Sequence, residues 1–249
     1  MDNSPAVIAV VKNFVRTRGD GCIVRPKSTQ TRKGNVISQR CRLAVLASGR
    51  GSNFRAIAES CSDAHFPAEV ACLVTDRANA GAIGIAEAFG IPVEIVNAGK
   101  RRGRLQDGAE EEIVRRCQAR GVSLVFLAGF MRILRGPLLE SFPGRILNIH
   151  PSLLPSFKGL HAQQQALEYG VKVAGCTVHF VDDSVDGGPI ILQEAVPVMD
   201  DDTEDTLAAR ILEAEHRIAS SAVALVASGG ITVVGRQVKR TTSDSSNEG

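Results

Sequence analysis

In the stretch Asn148-Ile149-His150-Pro151-Ser152-Leu153-Leu154-Pro155 a carboxamide and an imidazole stand two residues apart. On a strand, Asn148 and His150 project from one face while Ile149 turns to the other. Pro151 and Pro155 cannot continue a central strand, so the pair belongs at a strand end, where parallel sheets present their ligand sites. An amide that donates to a carbonyl oxygen, beside an imidazole that carries protons, is equipment for acyl-type chemistry. Asp186, in Val185-Asp186-Gly187-Gly188-Pro189, is the candidate to orient and charge the imidazole, because the two glycines let a loop press against the site. A carboxylate there is expected to raise the pKa of His150. Taken in isolation, the same residues also fit a strand-end histidine making a structural hydrogen bond and an aspartate opening a turn.

The chain shows no nucleophile to complete an acyl-enzyme scheme. It has no GxSxG elbow, and no Cys sits in an electropositive setting, so the substrate is expected to supply the attacking atom. The six cysteines form no CxxC pair and no Cys/His cluster at zinc-ligand spacing, so no metal is expected. Several lie in apolar runs as small hydrophobes, and a reducing, cytoplasmic compartment is the simpler reading.

A second chemical signal is Ser48-Gly49-Arg50-Gly51-Ser52-Asn53, between a strand-like and a helix-like segment. Glycines there allow close backbone approach to an anion, and the free N–H groups and dipole of a helix start attract negative charge. The loop lacks the third glycine of a dinucleotide fingerprint and the GK[ST] ending of a Walker loop, so a mononucleotide-type phosphate fits better than NAD or ATP. A tight, well-capped strand-to-helix turn is the bland alternative.

The elements that must carry these residues are legible as alternation. Leu43 to Ala47, Val70 to Val74, Pro92 to Val96 and Val122 to Ala128 are short apolar runs of strand length. Phe54, Ile57, Ala58 and Cys61 then recur at helical spacing, and Asp107 to Arg120 places Ile113, Val114 and Cys117 on one face. This order predicts an α/β, Rossmann-like open twisted sheet, parallel in its N-terminal half, with helices on both faces. After Arg145 the rhythm changes. Arg145 to His150 is strand-like, Leu160 to Tyr169 helix-like, and Val173 to Val181 with Pro189 to Val198 predicts a β-hairpin extending the sheet. A last helix runs from Thr203 to Ala227 and is stopped by Gly229 and Gly230.

Within residues 1–42 nine Lys or Arg face two Asp, and the apolar run Ala6 to Val11 is too short for a bilayer. Residues 1–41 are therefore expected to be a disordered basic leader, with a transit peptide and a start set too early as alternatives. Residues 42–238 form one catalytic domain on this reading, and 239–249 a disordered tail. A hydrophobic share of 44% and a net charge of +2 exclude the disordered, membrane-spanning and strongly basic classes. With no Trp and one Tyr, base-stacking platforms are poorly supplied. The expected partners are small molecules, with neither nucleic acid nor membrane, for a monomer or homodimer.

NIHPSLLP, GCTVHFVDDSVDGGPI and SGRGSN, in their order along the chain, resemble the glycinamide ribonucleotide formyltransferases, folate-dependent enzymes of purine biosynthesis, over roughly residues 42–235. The resemblance implies transfer of a formyl group from 10-formyltetrahydrofolate, as co-substrate, to the amine of 5′-phosphoribosylglycinamide. It implies Asn148, His150 and Asp186 as the catalytic trio, with His150 the proton donor, and Gly51, Ser52 and Asn53 as the phosphate loop. Glu215 matches the acidic residue that receives the substrate amine or ribose, although its period alone marks only a polar helix position. Met131, Arg132, Ile133 and Leu134, with Asn148, match the folate site, yet Ala128 to Leu134 read alone is a buried strand entering a turn. Among Arg101, Arg102 and Arg104 no alignment is clean, and Arg104 is taken as the folate-binding arginine. Arg50 either contacts phosphate or points to solvent, and His161 stands at a family-like position without a role. Two alternatives remain: a formyltetrahydrofolate deformylase, which uses water as acceptor but carries a further domain ahead of the catalytic one, and a noncatalytic folate- or nucleotide-binding module of the same fold.

Overall fold

The computed structural model describes the backbone of residues 22–23 and residues 39–99 and 103–241. The strands are β1 (Cys22–Ile23), β2 (Cys41–Leu46), β3 (Ala68–Thr75), β4 (Val93–Ile95), β5 (Gly103–Arg104), β6 (Leu124–Leu127), β7 (Arg132–Ile133), β8 (Ile146–His150), β9 (Val173–Phe180), β10 (Ile190–Pro197), β11 (Ile231–Val234) and β12 (Gln237–Arg240). The helices are α1 (Ser52–Cys61), α2 (Gly81–Ala88), α3 (Ala109–Ala119), α4 (Pro137–Ser141), α5 (Ala162–Tyr169) and α6 (Glu204–Ala227).

Seven strands form the main sheet in the order β10-β9-β8-β6-β2-β3-β4. From β4 to β8 neighbours are parallel, whereas β9 and β10 add antiparallel pairs at the far side. The alternation of β2 shows why both faces need cover. Leu43, Val45 and Ala47 enter a core shared with α1, α2, α5 and α6, while Ala44 and Leu46 enter a second core shared with α3 and α4. The predicted α/β sheet with its hairpin extension is thus present, with helices on both faces.

Local chemistry sets the helix limits. α3 opens with Glu110, Glu111 and Glu112 and carries Arg116 in its last turn, matching the helix dipole. Thr203 caps α6 in a reciprocal box with Thr206, and Gly229, at φ 71°, follows its end.

Two boundaries drawn from composition are corrected. Cys41 opens β2, and Cys22–Ile23, inside the supposed leader, pairs antiparallel with β11. At the other end β12 reaches Arg240, so Lys239 and Arg240 belong to a hairpin in which Ile231 pairs with Arg240. The polar letters of 237–240 resemble a tail because only part of this small sheet is buried, and a one-faced strand carries little hydrophobic signal. Residues 1–21, 24–38 and 242–249 lie outside the described residues. Among the described residues no helix is long and apolar enough to cross a membrane.

Candidate active site

The chain runs from β2 outward to β3 and β4, then returns to β6 on the other side of β2. Strand order therefore reverses between β2 and β6, and open α/β sheets bind ligands outside the carboxyl ends of strands at such a reversal. Hydrogen bonds tie the two strand ends together: Ser48 N–H donates to Gly129 O at 3.2 Å, and Met131 N–H donates to the side-chain Oγ of Ser48 at 3.0 Å.

On the β2 side, Gly51 caps α1 with φ 82°, and no side chain makes a capping bond there. A Cβ at Gly51 would lie 2.8 Å from the Cα and Cβ of Ala82, so glycine is required for both conformation and space. The loop is pinned to the start of α2 by Ala82 N–H donating to Gly49 O at 3.2 Å. Arg50 is exposed, as its ambiguous reading allowed, and Ser52 is the first residue of α1.

Asn53 turns inward from α1, and its Nδ2 donates to Glu215 Oε2 at 2.7 Å, while Asn53 Oδ1 is buried with no protein partner. Glu215 comes from the buried face of α6 and is only 7% exposed. Burial pushes its carboxyl up to about 7, against the lowering effect of the Asn53 hydrogen bond. The two polar positions 162 residues apart thus form one buried pair.

On the β8 side, Asn148 and His150 share a face at the strand's carboxyl end, with Ile149 in the opposite core. Asp186 reaches them from the loop between β9 and β10. Its Oδ2 lies 3.4 Å from His150 Nδ1 and accepts from Gly159 N–H at 2.9 Å, while Asn148 Nδ2 approaches Oδ1 at 3.5 Å. The other ring nitrogen of His150, Nε2, lies 2.9 Å from Phe157 O. Both nitrogens face acceptors, an environment complementary to the doubly protonated imidazolium. Burial works to raise the Asp186 carboxyl, but contact with His179, the Gly159 N–H and the charge of His150 outweigh it and hold it below its ordinary value.

His179 carried no assignment from sequence. It sits opposite Asn148 in the β8–β9 register, 2% exposed, with Nδ1–H donating to Phe180 O at 2.7 Å. Its Nε2 therefore accepts from Asn148 Nδ2 at 3.2 Å and lies 3.7 Å from Asp186 Oδ1. The available signal was a histidine in an otherwise apolar strand, but only strand register shows that it meets Asn148. Phe157, at φ 53°, was also missed, because a backbone carbonyl leaves no trace in residue type.

The segment 131–134 divides its side chains. Met131 and Ile133 are 53% and 48% exposed, and Leu134 is buried in the second core. Arg132 Nε donates to Asp76 Oδ2 at 2.7 Å, and its Nη1 to Arg104 O at 3.2 Å. The Arg132 guanidinium is thus engaged with the protein, and only Met131 and Ile133 offer apolar surface outward. Arg104 is exposed on β5, which pairs with β7. His161 is exposed at the start of α5, at φ 58°. Cys176, near Glu215, is pushed up to about 12 mainly by burial, so it supplies no thiolate.

The two halves face one crevice. Leu46 pairs with Leu127 and Leu127 with Asn148, so the end of β2 and Asn148 lie on one line across the sheet. Two strand spacings separate them by roughly 10 Å. An anion-accepting helix start and an Asn–His–Asp cluster at that separation suit a substrate with a phosphate at one end and a reacting group at the other.

Residues 41–223 match the formyl transferase family. The chain is 42% identical over 230 residues to the human trifunctional purine biosynthetic protein adenosine-3, covering 92% of this chain but 22% of that protein. It thus spans about a fifth of that relative's length. To a phosphoribosylglycinamide formyltransferase of Mycobacterium tuberculosis it is 45% identical over 199 residues, 80% of this chain and 91% of that one. The crystal structure of glycinamide ribonucleotide transformylase 1 from Symbiobacterium toebii superposes with a TM-score of 0.78 at 48% identity, over 82% of this chain and 95% of that chain. The extent of the match, together with the crevice geometry, identifies the chain as a member of the formyl transferase family.

Proposed function

We propose that this protein transfers the formyl group of 10-formyltetrahydrofolate to the primary amine of 5′-phosphoribosylglycinamide, a step of de novo purine biosynthesis. The observation that carries the reading is Asp186 bridging His150 and Asn148 at the end of β8, across the crevice from the Gly51 turn. The phosphate rests on Gly51, Ser52 and the start of α1, and Glu215, paired with Asn53, receives the amine or ribose end. The pterin lies along Met131 and Ile133, near Arg104.

The neutral amine attacks the formyl carbon, and the carbonyl π electrons move to oxygen. Asn148 has two amide hydrogens, one held by His179, and the long contact with Asp186 leaves the other free to turn toward the new oxyanion. The carbon–nitrogen bond to the folate then breaks, its electron pair returning to the folate nitrogen, which takes a proton from His150. The oxyanion re-forms the carbonyl as that bond breaks, and the attacking nitrogen gives up a proton that restores the His150 imidazolium. Asp186 keeps the imidazole ring of His150 in place throughout. No protein nucleophile is consumed.

Purified protein with both substrates should yield formylated ribonucleotide by mass spectrometry, and His150→Ala should lower kcat by about 10² to 10³. Formate without formylated ribonucleotide would instead identify water as acceptor. Substrate binding without turnover would reduce the protein to a binding module.

A further inference from the structure

Asp186 holds φ 46°, a left-handed conformation that a non-glycine residue adopts only when its surroundings impose it. The surroundings are visible. Ser184 N–H donates to Asp182 Oδ1 at 2.9 Å, and Gly188 packs so tightly that a Cβ there would lie 1.9 Å from Phe180 O. A further constraint comes from a remote part of the chain: Arg236 Nη2 donates to Gly187 O at 2.6 Å. Arg236 occupies the two-residue turn, with Gly235 at φ 59°, that joins β11 to β12. This hairpin lies outside the main sheet and beyond the residues matched by the family.

We propose that Arg236 is a positioning residue for the reaction: by holding the carbonyl of Gly187, it fixes the Gly187–Gly188 peptide, one residue beyond Asp186, and keeps that carboxylate on His150 and Asn148. The inference rests on the function proposed above. A guanidinium on a carbonyl is a charge-assisted bond with planar, directional donors, so it restrains the peptide plane as well as its distance. The titratable groups around Asp186 are His150 on β8, His179 on β9, Lys158 in the preceding loop, and Asp182 and Asp183 in its own loop. Among the described residues none of these donates to the Gly187 carbonyl, and a carboxylate displaced by about 1 Å can cost two orders of magnitude in rate.

Arg236 itself is exposed on a surface turn, so its replacement leaves both cores intact. Arg236→Met is expected to lower kcat 5- to 20-fold, with KM for the amine substrate within twofold and the unfolding temperature unchanged. The pH–rate profile should shift on its acid side, Arg236→Lys should recover part of the rate, and added methylguanidine should recover part of it in Arg236→Ala. Hydrogen exchange of the 182–188 amides in the full chain should accelerate at least tenfold in Arg236→Met, a readout that needs no turnover. Unchanged exchange in that loop, or wild-type kcat and pH profile in Arg236→Met, overturns the proposal. Equal loss of rate and unfolding temperature also overturns it, by reducing Arg236 to a structural contact. Absence of formyl transfer by the wild-type protein is a different failure, that of the underlying function, and the exchange measurement still decides on the brace.

Discussion

Glu215 is placed where its own charge is unwelcome, with one hydrogen bond from Asn53 and little water. Its folded-state value of about 7 lies above that of the unfolded chain, so between roughly pH 4.5 and 7 the folded protein binds the extra proton. Stability of the ligand-free protein then falls as pH rises through this window and levels off above it. Glu215→Gln removes that dependence. It should be more stable than wild type by about 2 to 4 kcal/mol at pH 8 and close to it at pH 4.5, as read by urea unfolding. The same variant should raise KM for the ribonucleotide, since an amide is a weaker, uncharged acceptor than a carboxylate. If wild type and variant showed parallel stability from pH 4.5 to 8, Glu215 would not be a buried acid. Asp186 has the opposite sign: its lowered value contributes stability present at neutral pH and lost as pH falls through that value. Asp186→Asn should depress kcat about as severely as His150→Ala, because it leaves the imidazolium facing a group without charge.

At the level of elements, the end of β3 controls the folate side of the crevice through Asp76. Its side chain is fully buried against Arg132, which in turn donates to the backbone of Arg104, so one aspartate fixes the β5–β7 pair at the crevice mouth. Removing one partner of a buried pair leaves an uncompensated charge and costs about 3 to 5 kcal/mol. Asp76→Ala should therefore lower stability by that order and raise KM for the folate several-fold, with KM for the ribonucleotide unchanged in steady-state assays. An unaltered folate KM would show that β5 and β7 hold their place without Asp76. The sequence analysis missed this pair because it joins residues 56 apart, and a polar letter after a strand reads as the start of a turn. Periodicity found the seven strands of the main sheet and the long helices because each repeats its pattern over a full element. Asn148 and His150 were legible from strand parity, and the Gly51 turn from its glycines. His179, Phe157 and Arg236 were not, because what recruits them is strand register, a carbonyl direction and a hairpin that buries only part of its surface.

Across the whole molecule, the crevice residues and almost all of both cores come from between Cys41 and Ala227, whereas β1, β11 and β12 form a separate small sheet that packs Ile231, Val233 and Val238 against the first core and is tied to the Asp186 loop by Arg236. Isolated two-stranded hairpins are marginal in water, and a third strand adds the pairing that makes such a sheet persist. The backbone pairs of Cys22 and Ile23 with Val233 and Thr232 therefore reinforce the hairpin rather than the main sheet. Removal of residues 1–38 should leave the main unfolding transition within about 1 kcal/mol of the full chain, because among the described residues both cores begin at Cys41. Amide exchange over Ile231–Arg240 should accelerate, since the hairpin loses a strand, and kcat should fall in the same direction as in Arg236→Met but by less. Combining the truncation with Arg236→Met should add nothing further to the loss of rate, as expected of two changes acting through one contact. Full additivity of the two in kcat would show that β1 affects turnover by a route that does not pass through Gly187.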